Sequence, residues 1–333
     1  MSIRQVAALA GVSPATVSRV FSQPDAVAAE TRGRVKAAAD ELGYSPNPVA
    51  RSLARGRTGN LGIVVPDIAN SFSAVIANAV QREAQRAGYA LFIAGSNHRP
   101  DEEYRLARAI AAQVDGLLMI TPGMPDERFE ELTGITPVVV FNRELDGLPA
   151  TLIPAVDGTT QAVEHLHALG HREIAYLEGP KVYSNEMRLR AFRAACDRLG
   201  VDGLEIDVND HRFSAGVRAG DLVLASRATA VVAYNDEVAV GVMNRLAQRG
   251  LKVPEDVSVI GFDDTGLAEM VMPLLTTVRL PAAAAGAAAV RMVLDVIDGR
   301  DGAVDARVEL GSELVIRSTT TPPVGARGVG GGG

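Results

Sequence analysis

The sequence predicts an α/β protein: a small helical domain at the N-terminus, followed by a body of two lobes, each built on a parallel sheet. Three observations carry that expectation. After residue 60, short continuous runs of Val, Ile and Leu alternate with amphipathic stretches, the pattern of strands covered by helices on both faces. The runs form two series, which indicates two similar lobes. Charge is also segregated, since residues 1–60 carry 8 Lys/Arg against 4 Asp/Glu, net +4, and the remainder carries 25 against 36, net −11. A basic head suits a polyanion, and an acidic body stays soluble and avoids unspecific contact with nucleic acid.

Residues 2–21, SIRQVAALAGVSPATVSRVF, fit a helix-turn-helix. Ser2 and Gln5 have capping-box spacing, and Ile3, Val6, Ala7, Leu9 and Ala10 form the apolar stripe of a first helix. Gly11 permits the left-handed residue that ends it, and Ser13-Pro14 then gives an N-cap followed by proline at the first helical position. Val17, Val20 and Phe21 face inward, leaving Pro14, Ala15, Ser18, Arg19 and Ser22 on an outer face small enough for a major groove about 12 Å wide. Ser13, Pro14, Ala15, Thr16, Ser18 and Arg19 are the candidate DNA-binding residues of this part. Thr31 to Leu42 makes a third helix. Taken alone, such a segment also suits a three-helix bundle with no ligand.

The next segment favours DNA. Asn47 is an N-cap and Pro48 a first-turn residue, yet only a short stretch follows before Gly56, too short to persist as an isolated helix in water. It needs a partner to fold, and Arg51, Arg55 and Arg57, with no acid nearby, suggest a phosphate backbone.

Beyond residue 60, strands are expected at 61–66, 89–95, 116–120, 137–141, 173–179, 204–208, 230–234 and 257–263, with helices between them. Ligands of open parallel sheets sit outside the carboxyl ends of the strands. The polar residues that fall there are Asn70 to Ser73, Asn142-Arg143, Asn235-Asp236 and Asp263-Asp264; Arg188 starts a helix beyond EIAYLEGP, and Phe213 lies in the loop after the 204–208 strand.

Several blocks, in order, resemble one family: VAALAGVSPATVSRV, ELGYSPNPVARSLARGRTGNLGIVVPD, GHREIAYLEGP, NDEVAVG, VPEDVSVIGFDD and LLTTVRLP. From about residue 2 to about residue 320 the chain is similar to the lactose/galactose repressor (LacI/GalR) family of bacterial transcription factors. The resemblance implies an N-terminal helix-turn-helix headpiece and hinge helix followed by a two-lobed periplasmic-binding-protein-like body with parallel sheets. It divides the chain into a headpiece at 1–46, a hinge at 47–60 and a body at 61–321, with a disordered tail at 322–333. The N-lobe is expected at about 61–154 and 281–308, the C-lobe at about 155–277 and 311–321, joined by crossovers near 152–157, 277–281 and 308–312.

The resemblance also implies roles. Asn47, Arg51, Leu53 and Arg55 fall in the DNA-binding hinge, with Leu53 as a minor-groove wedge. Arg188, Asn235 and Asp263 occupy effector-binding positions, and Phe72 and Phe213 match positions that often carry aromatic rings. Their chemistry suits a polyol, with forked contacts from Arg188, exchanged hydrogen bonds at Asn235 and Asp263, and phenyl rings over apolar sugar faces. Each has a plainer alternative: helix caps for Asn235 and Asp263, core for the two phenylalanines, a surface ion pair for Arg188. Asn142 stands where many members have Asp, and Ser73 where many have a larger residue, so the pocket is expected to be roomier and less acidic.

Other functions fare worse. The motifs G-x-x-x-x-G-K-[ST], G-x-S-x-G and H-E-x-x-H are absent, and no cysteine cluster exists because Cys196 is the only cysteine, expected in the core of the Arg188 to Leu199 helix. His165 and His167, two apart on a helix, point to different faces and make a poor metal pair. A sugar-processing enzyme is disfavoured on these grounds. A soluble sugar receptor without DNA function is disfavoured by the headpiece and by the lack of a signal-peptide hydrophobic region. No stretch approaches the roughly 20 apolar residues that cross a membrane. The expectation is a cytoplasmic regulator, most often a repressor, with no cofactor. Its partners are a pseudo-palindromic operator, a small effector, sugar first and nucleoside second, and a second copy of itself, since one short recognition helix reads too few base pairs.

Leu53→Ala should weaken operator binding well beyond tenfold while moving the melting temperature by only a few degrees, because a wedge acts on DNA and not on the core. Operator titration with a parallel melting curve checks this, and unchanged affinity removes Leu53 from the interface.

Overall fold

The structure, a computed structural model, describes residues 2–22, 24–44 and 56–324. The expected hinge helix with Asn47, Arg51, Leu53 and Arg55, and residues 325–333 of the expected tail, lie outside the described residues. By contacts the chain divides into one unit of residues 1–60 with 113–115 and a second of 61–112 with 116–333.

The first unit is helical. Helix α1 (Ile3–Ala10) begins where the Ser2 N–H donates to Gln5 Oε1 at 2.8 Å, and it ends at Gly11, whose φ of 67° a side chain would strain. Helix α2 (Pro14–Ser22) is capped by Ser13, whose Oγ accepts from the Thr16 N–H at 3.1 Å. Helix α3 (Ala29–Glu41) starts two residues earlier than the sequence suggested. Ala29 and Glu30 are strong helix formers, and the Arg32 N–H already bonds to Ala28 O, so nothing delays the start to Thr31. Val6, Ala7, Ala10, Val17, Val20, Val35, Ala38 and Ala39 close over one another as the core, with Phe21 and Tyr44 rings 6.1 Å apart at its edge.

The second unit holds two six-stranded sheets. The strands are β1 (Asn60–Val65), β2 (Ala90–Gly95), β3 (Gly116–Ile120), β4 (Val138–Phe141), β5 (Ala150–Leu152), β6 (Glu173–Glu178), β7 (Asp202–Asp207), β8 (Ala230–Ala233), β9 (Ser258–Asp263), β10 (Thr276–Arg279), β11 (Arg307–Glu309) and β12 (Glu313–Val315). One sheet has the order β11-β5-β4-β3-β1-β2 and the other β12-β10-β9-β8-β6-β7. The inner pairings are parallel, and β12 runs antiparallel to β10. The central parallel strands β3, β4, β8 and β9 are buried along their whole length, which is why they read as unbroken apolar runs.

Helices α4 (Ser71–Arg86) and α12 (Ala282–Ile297) pack together on the first sheet, with α5 (Pro100–Ala111) and α6 (Glu127–Thr133) against its other apolar cluster. Helices α7 (Val156–Ala168) and α8 (Tyr183–Leu199) lie on one side of the second sheet, and α9 (Phe213–Ala225) and α10 (Asp236–Gln248) belong to the cluster on the other. A four-residue helix, α11 (Leu267–Met270), follows β9. The chain passes between the sheets from β5 to α7, from β10 to α12 and from β11 to β12. β5, β10, β11 and β12, which the apolar runs did not reveal, are short strands at these passages whose sequences, ATL, TTVR, RVE and ELV, are broken by Thr, Arg or Glu and so give no apolar run. Cys196 is buried in α8. Among the described residues no helix is long and apolar enough to cross a membrane.

Two local devices set the second lobe. Helices α9 and α10 touch backbone to backbone, since a Cβ on Gly241 would lie 2.2 Å from Phe213 O and one on Gly216 would lie 2.1 Å from Val238 O. Asp236, at the start of α10, accepts from the Thr265 N–H at 2.7 Å, Thr265 Oγ1 at 3.0 Å and Thr277 Oγ1 at 2.6 Å. It thereby ties α10 to β10 and to the loop that follows Asp263. Burial, reinforced by the charge of Asp263 and opposed by the threonine donors, pushes the Asp236 carboxyl up to about 7.

Gly241→Ala should destabilise the fold by about 1–3 kcal/mol, because a backbone carbonyl cannot swing aside as a side chain can. Thermal unfolding checks this, and an unchanged melting temperature would show the helices free to part. Asp236→Asn gives a pH test. With its folded pKa raised, Asp236 keeps a proton that the unfolded chain has lost between about pH 4 and 7, so this group costs stability as pH rises through that window. The melting temperature of the wild type relative to Asp236→Asn should therefore fall from pH 5 to pH 8. Parallel curves would contradict it.

Candidate functional site

Two sites were expected, one in each unit. In the first, Ser13, Pro14, Ala15, Ser18 and Arg19 are exposed on α2 and Thr16 is half-buried, its Oγ1 2.9 Å from Ser13 Oγ. Val17 and Val20, on the opposite side, are in the core. Helix α2 thus presents a narrow, uncharged surface ending in Arg19, with no bulky side chain to keep it out of a groove.

In the second unit the carboxyl ends of the strands converge on a cavity between the lobes. It is lined from the first sheet by Asp67, Asn70, Phe72, Ser73, His98 and Asn142, and from the second by Ser184, Arg188, His211, Tyr234, Asn235 and Asp263. Six of the seven expected ligand residues therefore meet there. Phe213 does not. It is the first residue of α9 and not a loop residue, it is 43 % exposed, and the residue of that segment that reaches the cavity is His211, two positions earlier.

Most of the lining is already satisfied. Asn70 caps α4, accepting from the N–H groups of Phe72 and Ser73. Asn142, at φ 59°, accepts from the Ile153 N–H at 2.9 Å. Asn235 caps α10 through the Val238 N–H at 2.8 Å and donates from Nδ2 to His211 O at 2.9 Å, so here the capping alternative describes its contacts. Phe72 packs partly against the core.

Arg188 and Asp263 are different. Their side chains are 5 % and 8 % exposed, which rules out the surface ion pair, and Asp263 caps no helix. Arg188 stands in the second turn of α8, donates to Tyr234 O at 2.7 Å, and stacks its guanidinium 3.8 Å from the centre of the Phe262 ring. Asp263, at φ 100°, ends β9. Arg188 Nη2 and Asp263 Oδ1 stand 3.6 Å apart, beyond a good hydrogen bond, and Arg188 Nε and Asp263 Oδ1 have no hydrogen-bond partner. Burial pushes the Asp263 carboxyl up to about 6 against the pull of Arg188. Orphaned buried polar atoms of this kind cost free energy, and hydroxyl groups placed between them would satisfy both. Asp264, its neighbour, points elsewhere, to Arg279 and Arg317.

The cavity is narrow: its open volume is about 50 Å³, well under the roughly 150 Å³ of a cavity that takes a six-membered ring. Bridges between the lobes close it. His211 Nε2 lies 3.0 Å from Asp67 Oδ2, Arg212 lies 3.6 Å from the same oxygen, and Glu237 accepts from the Ser71 N–H at 3.3 Å and from Asn70 Nδ2 at 3.4 Å. Burial pushes Asp67 up, but the Ala69 N–H and His211 prevail and hold it below the usual carboxylate range. The His98 ring stands 4.6 Å from that of His211, and burial, then the His211 charge, holds His98 down at about 4.

The sequence reading missed Asp67, His98 and His211. Asp67 and His98 follow β1 and β2, where the strand-end rule would have found them, whereas nothing in the sequence pairs His211 with Asp67. A wider depression, about 500 Å³, lies on the first lobe between α6 and residues 144–148. It is open and rimmed by Glu127, Glu130, Glu144 and Asp146, and it has none of the cavity's converging donors. His165 and His167 go to Thr320 and Arg172, and among the described residues no cluster of three or more His, Cys, Asp or Glu could hold a metal ion.

Comparison with known proteins agrees with both halves. Residues 2–47 match the family described as bacterial regulatory proteins, lacI family, and residues 163–320 match the periplasmic binding protein-like domain. The HTH-type transcriptional repressor CytR of Escherichia coli strain K12 is 34 % identical over 329 residues, 96 % of each chain. Among solved structures, the Lac repressor dimer bound to operator and the anti-inducer ONPF superposes with a TM-score of 0.87 at 29 % identity, over 96 % of this chain and 99 % of that one. A transcriptional regulator CelR–cellobiose complex gives 0.69 at 30 % identity, with the same coverage. The chain belongs to the LacI family of bacterial transcriptional regulators.

Proposed function

We propose that this protein is a cytoplasmic, ligand-responsive repressor that binds a pseudo-palindromic operator as a homodimer, and that its ligand is a sugar or sugar derivative. The observation that carries the ligand is the buried, incompletely bonded pair Arg188 and Asp263 facing one cavity. Arg188 offers a fork to adjacent hydroxyls, Asp263 accepts, Asn142, Asn235 and Ser73 add neutral polar groups, and Phe72 gives an apolar wall. Cellobiose in the CelR complex supports a carbohydrate.

Self-association is supported by apolar groups left at the surface. Phe92 and Ile93 are exposed on the edge strand β2, Ile68 and Val75 lie in the same lobe, and Met270, Met272 and Ile316 are exposed in the other. A dimer doubles the number of base pairs read by helices such as α2, where Pro14 and Ala15 contact thymine methyls and Ser18 and Arg19 reach groove edges or phosphates.

The switch follows from the closed cavity. A ring-sized ligand has no room in 50 Å³, so binding separates the lobes and breaks the bridges at Asp67–His211 and Ser71–Glu237. In a dimer that movement changes the spacing of the two 47–60 segments and hence the DNA affinity, with DNA and ligand weighing equally on each other.

Arg188→Ala should lower ligand affinity ten- to a hundredfold or more, from charge-assisted hydrogen bonds worth about 1.5–3 kcal/mol each. Operator binding should persist while the response to ligand disappears. The ligand is found by thermal-shift screening of sugars and nucleosides, and titration of the operator complex then compares wild type with Arg188→Ala. An unaltered ligand midpoint removes Arg188 from the site.

A further inference from the structure

A second cavity adjoins the first. It has about 170 Å³ of open volume and shares Asn142, Ser184 and Arg188 with the central cavity. Its walls are apolar, formed by Leu152 to Val156 in the first passage between the lobes and by Tyr183 and Met187 on the first turns of α8. Tyr183 is 42 % exposed and Val156 38 % exposed, so apolar surface stands open to solvent beside the narrower polar cavity. The carboxylates of Glu144 and Glu309 stand at the edge. This combination is odd for a ligand made only of hydroxyls, which the central cavity serves by itself.

We infer that the side cavity is a subsite for a flat ring attached to the sugar, so that the ligand is a glycoside in the broad sense, with its hydroxylated half at Arg188 and Asp263 and its ring against Tyr183, Met187 and Leu152. This rests on the reading of the central cavity as the ligand site. Volume, polarity and continuity support it together. A dry cavity on the order of 150 Å³ accepts benzene, so the space suits one aromatic ring. A ring between Tyr183 and Met187 gains stacking and sulfur contacts. The shared residues place the junction between the two halves at Ser184 and Arg188. The acidic edge selects among rings: it accepts from exocyclic N–H groups and repels carboxylate or phosphate substituents. Two sources share this chemistry, a nucleobase on a pentose and an aryl group on a hexose.

Calorimetric titration of the full-length protein with matched pairs tests the inference: ribose against cytidine and adenosine, and galactose and glucose against their p-nitrophenyl β-glycosides. At least one glycoside should bind ten times or more as tightly as its bare sugar. Binding by cytidine or adenosine identifies a nucleobase, and binding by the nitrophenyl compounds an aryl group. Tyr183→Ala should cut that advantage about tenfold, in the range of ring stacking removed by alanine, and leave bare-sugar affinity unchanged. Met187→Trp, which fills the space, should abolish it, and should one variant fail to fold the other still decides. Bare sugars that bind as well as their glycosides, or an advantage that survives these substitutions, overturn the subsite and leave the central site standing. If neither sugars nor glycosides bind, the central reading falls with it.

Discussion

Arg188 and Asp263 are brought out of water and then left short of hydrogen bonds, and the rest of the body can be read as the means of holding them so. A buried opposite-charge pair is seldom a net gain in stability, and one with orphaned atoms is a cost, since each unsatisfied polar group forfeits about 1–3 kcal/mol. The fold sustains it through stronger local constraints. Phe262 and Tyr234 flank the guanidinium, Asp236 pins the loop after Asp263 through two hydrogen bonds from Thr265 and β10 through one from Thr277, and β9, buried along its length, carries Asp263. Strain kept at one point by an over-determined scaffold is how a binding site is kept ready for a ligand.

Closure rests on other residues. Across the lobes Asp67 meets His211, and Glu237 meets the N-terminus of α4. The Glu237 contacts are long, 3.3 to 3.5 Å, and easily given up. A two-state body needs such contacts, strong enough together to populate one state and weak enough for a ligand's binding energy to reverse the balance.

Sequence and structure part in instructive places. Parallel strands such as Gly116–Ile120 and Ala230–Ala233 were legible because burial on both faces leaves unbroken apolar runs. The helix-turn-helix was legible because caps and a left-handed glycine are local signals. The short strands at the passages were not, since Thr, Arg and Glu interrupt them and leave no apolar run. At the site, Arg188 and Asp263 could be named through the family resemblance, but their missing hydrogen bonds are a property of three dimensions. His211 was hidden because its partner, Asp67, is 144 residues away, and Phe213 was chosen in its place because aromaticity at a family position says nothing about which way the start of α9 faces.

The central claim is that ligand and interlobe bridges compete for the same cavity, and Glu237 is the residue that separates this from closure around a ligand. Glu237 bridges the lobes without itself lining the central cavity, its one hydrogen bond to a lining side chain being the long one from Asn70, so Glu237→Ala removes part of the closing force and leaves Arg188 and Asp263 in place. The measurement is the midpoint of ligand action on the operator complex, wild type against Glu237→Ala, using the strongest binder from the thermal-shift screen. The account predicts a midpoint several-fold lower in the variant, because less work is needed to open the cleft. A higher or unchanged midpoint would show that the ligand binds without parting the lobes, and would contradict it.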